Sequence, residues 1–307
     1  MTVGVRVLAR AKLTLSLRVL GRRPDGFHDL EALVVSLEEP YDAVSLRLRP
    51  ALGVALRLSG RGSAGVPADD TNLAVRAARM LLDLAEGEAA GDAWAAAGLE
   101  VSLHKGIPPG AGLGGGSADA AATLSAGSRL LGLDLDDDTL GRLGARLGSD
   151  VPFCITGGTA WMRGRGEEID RLPPVGPLPL VVVVPPFALS TRAVYEAWDR
   201  LGGAKGERAC PPPPVVEDLL PGGLGNDLEP AAEAVEPRLR PFRQAVEVVA
   251  ARPAVMAGSG SAYVVAAASA DQAAVLARDL SAALPGAAVF ATRPVARGIE
   301  SQGGALG

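Results

Sequence analysis

A chain of 307 residues is too long for one ordinary core and suits two domains of roughly 150 residues each. Hydrophobic residues make up 48% and charged ones 21%, which excludes wholesale disorder, and a net charge of -5 offers no general attraction for nucleic acid. The apolar run at 177–189 is shorter than a membrane span and is broken by Pro179, Pro185 and Pro186, while Arg6, Arg10, Lys12 and Arg18 interrupt any leading signal segment, so a cytoplasmic protein is expected.

Residues 3–19 alternate, with Leu13, Leu15, Leu17 and Val19 on one face and Lys12, Thr14, Ser16 and Arg18 on the other, and predict one or two strands. The turn signal RRPDG at 22–26 and a returning strand over 28–37 make a hairpin. An extended stretch follows at 43–58, and Thr71 caps a helix through Asn72, Val75, Ala78 and Leu82. Residues 85–98 read as a frayed helix end and a loop. A short strand at 101–105 runs through Ile107, Pro108 and Pro109 into the glycine run Gly110 to Gly116, and a strong helix covers 117–131. A second helix, 135–147, carries Asp136, Asp137 and Asp138 at its positive end and Gly148 at its stop, with Ser149 and Asp150 just beyond and a strand over 151–161.

The second half opens with an apolar strand at 178–184 and a helix at 191–201, and the proline run at 211–214 reads as a surface loop. Helices near 228–234 and 237–250, a strand near Val255, a Gly/Ser turn at 258–261, a strand at 263–267 and a helix at 271–284 complete an α+β pattern with no fixed-period repeat. Cys154 and Cys210 lie far apart without metal-ligand spacing, and both read as free thiols.

In PPGAGLGGGSADAA, starting at Pro108, successive glycines let backbone N–H groups turn inward around an anion, and the following helix adds its positive end. A flexible glycine linker is the plain alternative. Gly110, Gly112 and Gly115 also match GxGxxG, but a dinucleotide turn needs an acidic residue ending a second strand, whereas Asp134 and Asp136 introduce a helix. Neither GxxxxGK[ST] nor the protein-kinase signatures occur. By local pattern alone Asp150 reads as a turn or N-cap residue, Lys12 as a solvated strand lysine, and His28 as a structural histidine.

The Pro, Gly-Leu-Gly and Ser order of this loop resembles the ATP loop of the GHMP kinases. Segments 10–34, 69–81, 107–124, 147–167, 225–230 and 255–265 together resemble, within that superfamily, the 4-diphosphocytidyl-2-C-methyl-D-erythritol kinase family; the DGFH and SDVPF elements are particular to this branch. The resemblance implies a two-lobed GHMP kinase fold, with a ribosomal-protein-S5-domain-2-like ATP-binding lobe over 1–165 and a ferredoxin-like lobe over 166–307. It implies ATP-dependent phosphorylation of the 2-hydroxyl of 4-diphosphocytidyl-2-C-methyl-D-erythritol in the methylerythritol phosphate route to isoprenoids, with Asp150 as base and Lys12 as the cation that orients it.

By the same resemblance Pro108, Gly110, Ala111, Gly112, Leu113, Gly114, Gly115, Gly116 and Ser117 form the ATP loop. Asn72 is a contact to adenine or its ribose, and Lys105 a partner of the phosphates, although these two read equally as a helix-start residue and an exposed strand-end cation. Phe27 and His28 read the cytosine, Tyr195 closes the opposite face of the base, Thr14 meets the methylerythritol part, and Gly258 and Ser259 support the loop and the acceptor. Mg2+ accompanies ATP, with no protein ligand assigned beyond Ser117 as a candidate. The expected partners are small molecules alone, with no nucleic acid or membrane, and the chain is expected to be a monomer or weak homodimer. Thr14 stands where the family usually has asparagine, Arg10 where proline is common and Phe27 where tyrosine is common; stacking survives the last change, but a phenol hydrogen bond does not. Another GHMP kinase, of mevalonate or homoserine type, and a non-catalytic nucleotide-binding regulator are the rival readings.

Overall fold

The computed structural model describes residues 4–87, 98–203 and 225–302. The alternation at the start builds a long antiparallel hairpin, β1 (Gly4–Arg22) and β2 (His28–Arg49), closed by a turn in which Arg23 N–H donates to Phe27 O at 2.7 Å and Phe27 N–H to Asp25 Oδ1 at 3.1 Å. Bulges between Arg10 and Lys12, Thr14 and Ser16, and Val19 and Gly21 bend the pair. Successive parts of β2 serve different neighbours: 32–35 pairs with β5 (Thr159–Arg163), and 43–49 with β4 (Gly98–His104). Parallel to β4 lies β3 (Val54–Ser59), and β6 (Glu168–Leu172) extends β5.

Two helices, α1 (Leu73–Gly87) and α2 (Gly115–Leu130), pack on each other, and α2 covers β1 and β2. The alanines of α2 let it sit deep in the core, with Ala118, Ala120, Ala121, Ala122 and Ala126 all buried. Thr71 was expected to cap α1, but the cap is Asn72, whose Oδ1 accepts from Ala74 N–H at 2.9 Å while its Nδ2 donates to Pro67 O at 2.8 Å. Next comes α3 (Asp137–Ala145), capped by Asp136, which accepts from Thr139 N–H at 2.8 Å. The strand expected over 151–161 is instead a short helix, α4 (Val151–Thr156), with β5 starting only at Thr159. Val151, Pro152, Phe153, Cys154 and Ile155 are all buried, and so short an all-apolar run carries no periodicity to tell helix from strand.

The second sheet holds β7 (Leu180–Val184), β8 (Val255–Met256), β9 (Tyr263–Ala266) and β10 (Ala288–Thr292) in the order β10-β7-β9-β8, the strand order of a ferredoxin-like split βαβ unit. Its helices are α5 (Thr191–Arg200), α6 (Glu229–Val235), α7 (Leu239–Ala250) and α8 (Ala270–Ala283). Beyond the last helix read from the sequence, the chain forms β10 and then returns to the first sheet through β11 (Pro294–Val295) against β2 and β12 (Ile299–Ser301) against β1. Sheet membership changes between Leu172 and Leu180, and β11 and β12 pair within the first sheet. Cys154 is free and buried; most of the 85–98 segment (88–97), the proline run at 211–214 and Cys210 lie outside the described residues. No helix among the described residues is long and apolar enough to cross a membrane.

Candidate active site

A cleft of about 880 Å³ lies where the two sheets meet, lined by β1, the hairpin turn, the glycine loop, the start of α4, the start of α5 and the 258–261 turn. At its centre Lys12 Nζ stands 3.2 Å from Asp150 Oδ2 and 3.3 Å from Thr14 Oγ1. The two side chains are unequally exposed, 11% for Lys12 and 34% for Asp150, so the carboxylate is the member that faces a ligand. Asp150 occupies the N-cap position of α4 yet makes no capping hydrogen bond, which leaves its carboxylate to the lysine. The plain readings of a solvated strand lysine and a helix-capping aspartate therefore do not describe this pair.

The glycine loop is pinned to the lysine strand and to the second lobe. Lys12 N–H donates to Leu113 O at 3.0 Å, and Ala262 N–H donates to Ala111 O at 3.1 Å. Gly114 caps α2 with φ +69°, and a methyl there would meet Lys12 Cγ at 2.6 Å; at Gly112, with φ +78°, it would sit 2.3 Å from Ala257 O. Gly110, Gly112, Gly114, Gly115, Gly116 and Ser117 line the cleft at the positive end of the 16-residue α2, a ready anion cradle. Gly258 and Ser259 line the opposite side. That turn is held by Asn226, whose Nδ2 donates to Met256 O at 2.8 Å and Gly258 O at 2.6 Å, and by a 2.8 Å hydroxyl pair between Ser259 and Thr191.

The far end is aromatic. His28 Nε2 lies 2.8 Å from Asp199 Oδ1, its ring stacks on Tyr195 at 4.8 Å and 26°, and the Trp198 ring meets it edge-on at 5.4 Å. No base fits between His28 and Tyr195 in this arrangement. Phe27 is 52% exposed, and the Arg165 guanidinium lies 4.7 Å over its ring. Burial, and then the charge of Asp150, push the Tyr195 phenol above its ordinary value, so it stays protonated and cannot serve as a base. The same two causes raise the Cys154 thiol and make it inert.

Five of the sequence-derived residues do not line the cleft: Pro108, Ala111, Leu113, Asn72 and Lys105. Ala111 and Leu113 face the core, and Asn72 is spent on capping α1. Lys105 is no exposed strand-end cation: it is buried beneath the loop and ion-paired to both Asp42 and Asp119. Burial works to lower its ammonium, but the two carboxylates win and raise it; burial also drives the Asp119 carboxyl well above the usual carboxylate range against the pull of Lys105. Asp42 Oδ1 further accepts from Gly106 N–H at 2.7 Å and Ile107 N–H at 2.9 Å, tying β2 to the approach of the loop. The sequence reading missed Arg22, Arg165, Arg192, Thr191 and Asp199 in the cleft wall; single arginines on turns and helix starts carry no pattern of their own.

Residues 72–158 match the GHMP kinases N terminal domain. A 4-diphosphocytidyl-2-C-methyl-D-erythritol kinase of Pelotomaculum thermopropionicum is 41% identical over 264 residues, covering 83% of this chain and 86% of that protein. The chain belongs to the 4-diphosphocytidyl-2-C-methyl-D-erythritol kinase family. The family's member from Moorella thermoacetica is likewise 41% identical, over 83% of this chain and 87% of its own. A crystal structure of 4-(cytidine 5'-diphospho)-2C-methyl-D-erythritol kinase superposes with a TM-score of 0.73 at 34% identity, covering 94% of this chain and 99% of that one. Homoserine kinase from Cytophaga hutchinsonii, at TM-score 0.70 and 19% identity over 98% of both chains, shares the fold. Membership in this kinase family makes the protein an ATP-dependent small-molecule kinase with the two-lobed GHMP fold.

Proposed function

We propose that the protein transfers the γ-phosphoryl group of ATP to the 2-hydroxyl of 4-diphosphocytidyl-2-C-methyl-D-erythritol, with Asp150 as the base and Lys12 as the cation that orients it. The observation that carries this reading is the Lys12–Asp150 pair at 3.2 Å, set between the glycine loop on one side and the Phe27, His28 and Tyr195 group on the other. Phosphoryl transfer asks the protein chiefly for alignment and charge balance. The acceptor's proton passes to Asp150 as the new O–P bond forms to the γ-phosphorus, and the bond to the bridging oxygen breaks to release ADP. Lys12 steers the carboxylate and stabilises the alkoxide that develops beside it. Thr14, held by Lys12 at 3.3 Å, offers its hydroxyl to the methylerythritol part where the family usually offers an amide.

Backbone N–H groups of 110–117 face the ATP phosphates. Asn72 and Lys105 act on ATP indirectly, one by fixing the start of α1 and the other by anchoring the loop from below. At the other end Phe27, His28 and Tyr195 hold the cytosine, and Arg22, Arg165 and Arg192 supply cations for the diphosphate that links it to the alcohol. The described residues contain no group of three or more His, Cys, Asp or Glu side chains suited to a metal. The Ser117 hydroxyl, on the cleft wall at the positive end of α2, would hold an ion carried in on the phosphates, as Mg2+ is. Mg2+ bound there would neutralise phosphate charge; the chain itself supplies alignment and the proton acceptor.

ADP release by the purified protein with the cytidyl compound, mevalonate or homoserine as acceptor tests the substrate. Turnover of the cytidyl compound alone is expected. Turnover of another acceptor would remove the cytosine pocket from the reading, and no turnover with any would bring forward a non-catalytic nucleotide binder.

A further inference from the structure

Asp199, on the last turn of α5, is exposed at 27% of its side chain, lines the cleft, and is bound to no phosphate cradle or acceptor site. Its Oδ1 lies 2.8 Å from His28 Nε2, and its Oδ2 lies 3.5 Å from an Arg22 guanidinium nitrogen. A carboxylate only accepts, so the imidazole nitrogen facing it carries the proton. The second carboxylate oxygen faces Arg22, which leaves Oδ1 to the imidazole. The stack on Tyr195 and the edge contact with Trp198 fix the ring plane, and the hydrogen bond fixes its rotation. Of the two imidazole tautomers, this contact selects the one with its proton on Nε2, in which Nδ1 is the acceptor.

We propose that Asp199 is a positioning residue that sets base specificity, by holding His28 in the tautomer whose Nδ1 accepts from the exocyclic amine of cytosine and opposes the O4 carbonyl oxygen of uracil. The inference rests on the proposed cytidyl substrate. Cytosine presents an amine donor where uracil presents an acceptor, so a histidine free to take either tautomer would meet both bases, while one locked with Nδ1 unprotonated meets only the first. The discrimination then resides in a side chain that itself need not touch the base.

The test compares kcat/KM for the cytidyl substrate and its uridyl analogue in the wild type and in Asp199→Asn, alongside 15N spectra of histidine-labelled protein. The chain has only two histidines, His28 and His104, so His104→Gln assigns the signals. The wild type is expected to show His28 with its proton on Nε2 and to favour the cytidyl compound. In Asp199→Asn, whose amide can face Nε2 with either its oxygen or its NH2, mixed tautomers and a cytidyl-to-uridyl ratio lower by roughly ten- to a hundredfold are expected. A merely structural Asp199 would lower both activities together and leave the ratio unchanged, which overturns the inference. A wild-type ring protonated on Nδ1 overturns it without any substrate or variant. A wild type inactive on the cytidyl compound sinks the substrate reading and takes this inference with it, an outcome distinct from an active enzyme with an unaltered ratio.

Discussion

At the scale of single residues the site is a matter of which charges are left free. Lys12 is committed to Asp150 and Thr14, whereas Lys105, the other lysine near the loop, is neutralised underground by Asp42 and Asp119. Replacing Lys12 by Met should therefore cut kcat by about 10²-fold or more while ATP still binds, because the loop is anchored independently; steady-state KM and kcat separate the two. The two carboxylates around Lys105 are not equivalent. Asp42→Asn breaks the ion pair and disturbs two backbone hydrogen bonds, and denaturant unfolding should show a loss of roughly 2–4 kcal/mol. Asp119→Asn should be much milder at neutral pH, because burial already penalises the ionised form. The sign of the pH effect follows: a carboxyl with a raised folded pKa takes up a proton on folding. Wild type should therefore gain stability relative to Asp119→Asn as pH falls from neutrality into the ordinary carboxylate range. An unchanged difference between the two across that range would contradict the assignment.

Among the elements, the glycine loop is where two lobes and a catalytic strand converge. Gly112→Ala puts a methyl 2.3 Å from Ala257 O at a backbone angle that disfavours any side chain, so loop and 258–261 turn must part. A fall in kcat/KM for ATP on the order of 100-fold is expected, with far-UV circular dichroism unchanged; near-wild-type kinetics would mean that the loop need not touch the turn. The loop was legible in the sequence because its chemistry is local, a glycine run between a strand and a capped helix. The hairpin was legible for the same reason, through alternation and the RRPDG turn. What escaped was set by long-range packing. The α4 helix looked like a strand because every residue from Val151 to Ile155 is buried. Lys105 looked exposed because both its partners, Asp42 and Asp119, lie far from it in sequence or point inward from a helix. The aromatic residues were found, but not the direct stacking of Tyr195 on His28, since spacing does not fix how two rings 167 positions apart will meet.

The whole molecule is closed by its last strands. After β10 the chain leaves the second sheet, and β11 and β12 pair with β2 and β1, the two strands that carry the site. Gly298 O accepts from Arg10 N–H at 2.8 Å, two residues before Lys12. A chain ending at Arg293 should lose stability well beyond the loss of a frayed tail, with a lower thermal midpoint and weaker ATP binding; a truncated protein that melts and turns over like the full chain would show that these strands are dispensable. The lobes were visible in composition and length, but the return was not, because two- and three-residue strands leave almost no periodic signal. Across both lobes the functional claim comes down to one pair of side chains at the cleft floor. The most direct measurement is single-turnover phosphorylation of the cytidyl substrate by Asp150→Asn beside the wild type, with substrate affinity measured separately. Binding close to wild type with a transfer rate lower by about 10²–10⁴-fold is the expected result; an undiminished transfer rate would show that Asp150 is not the base.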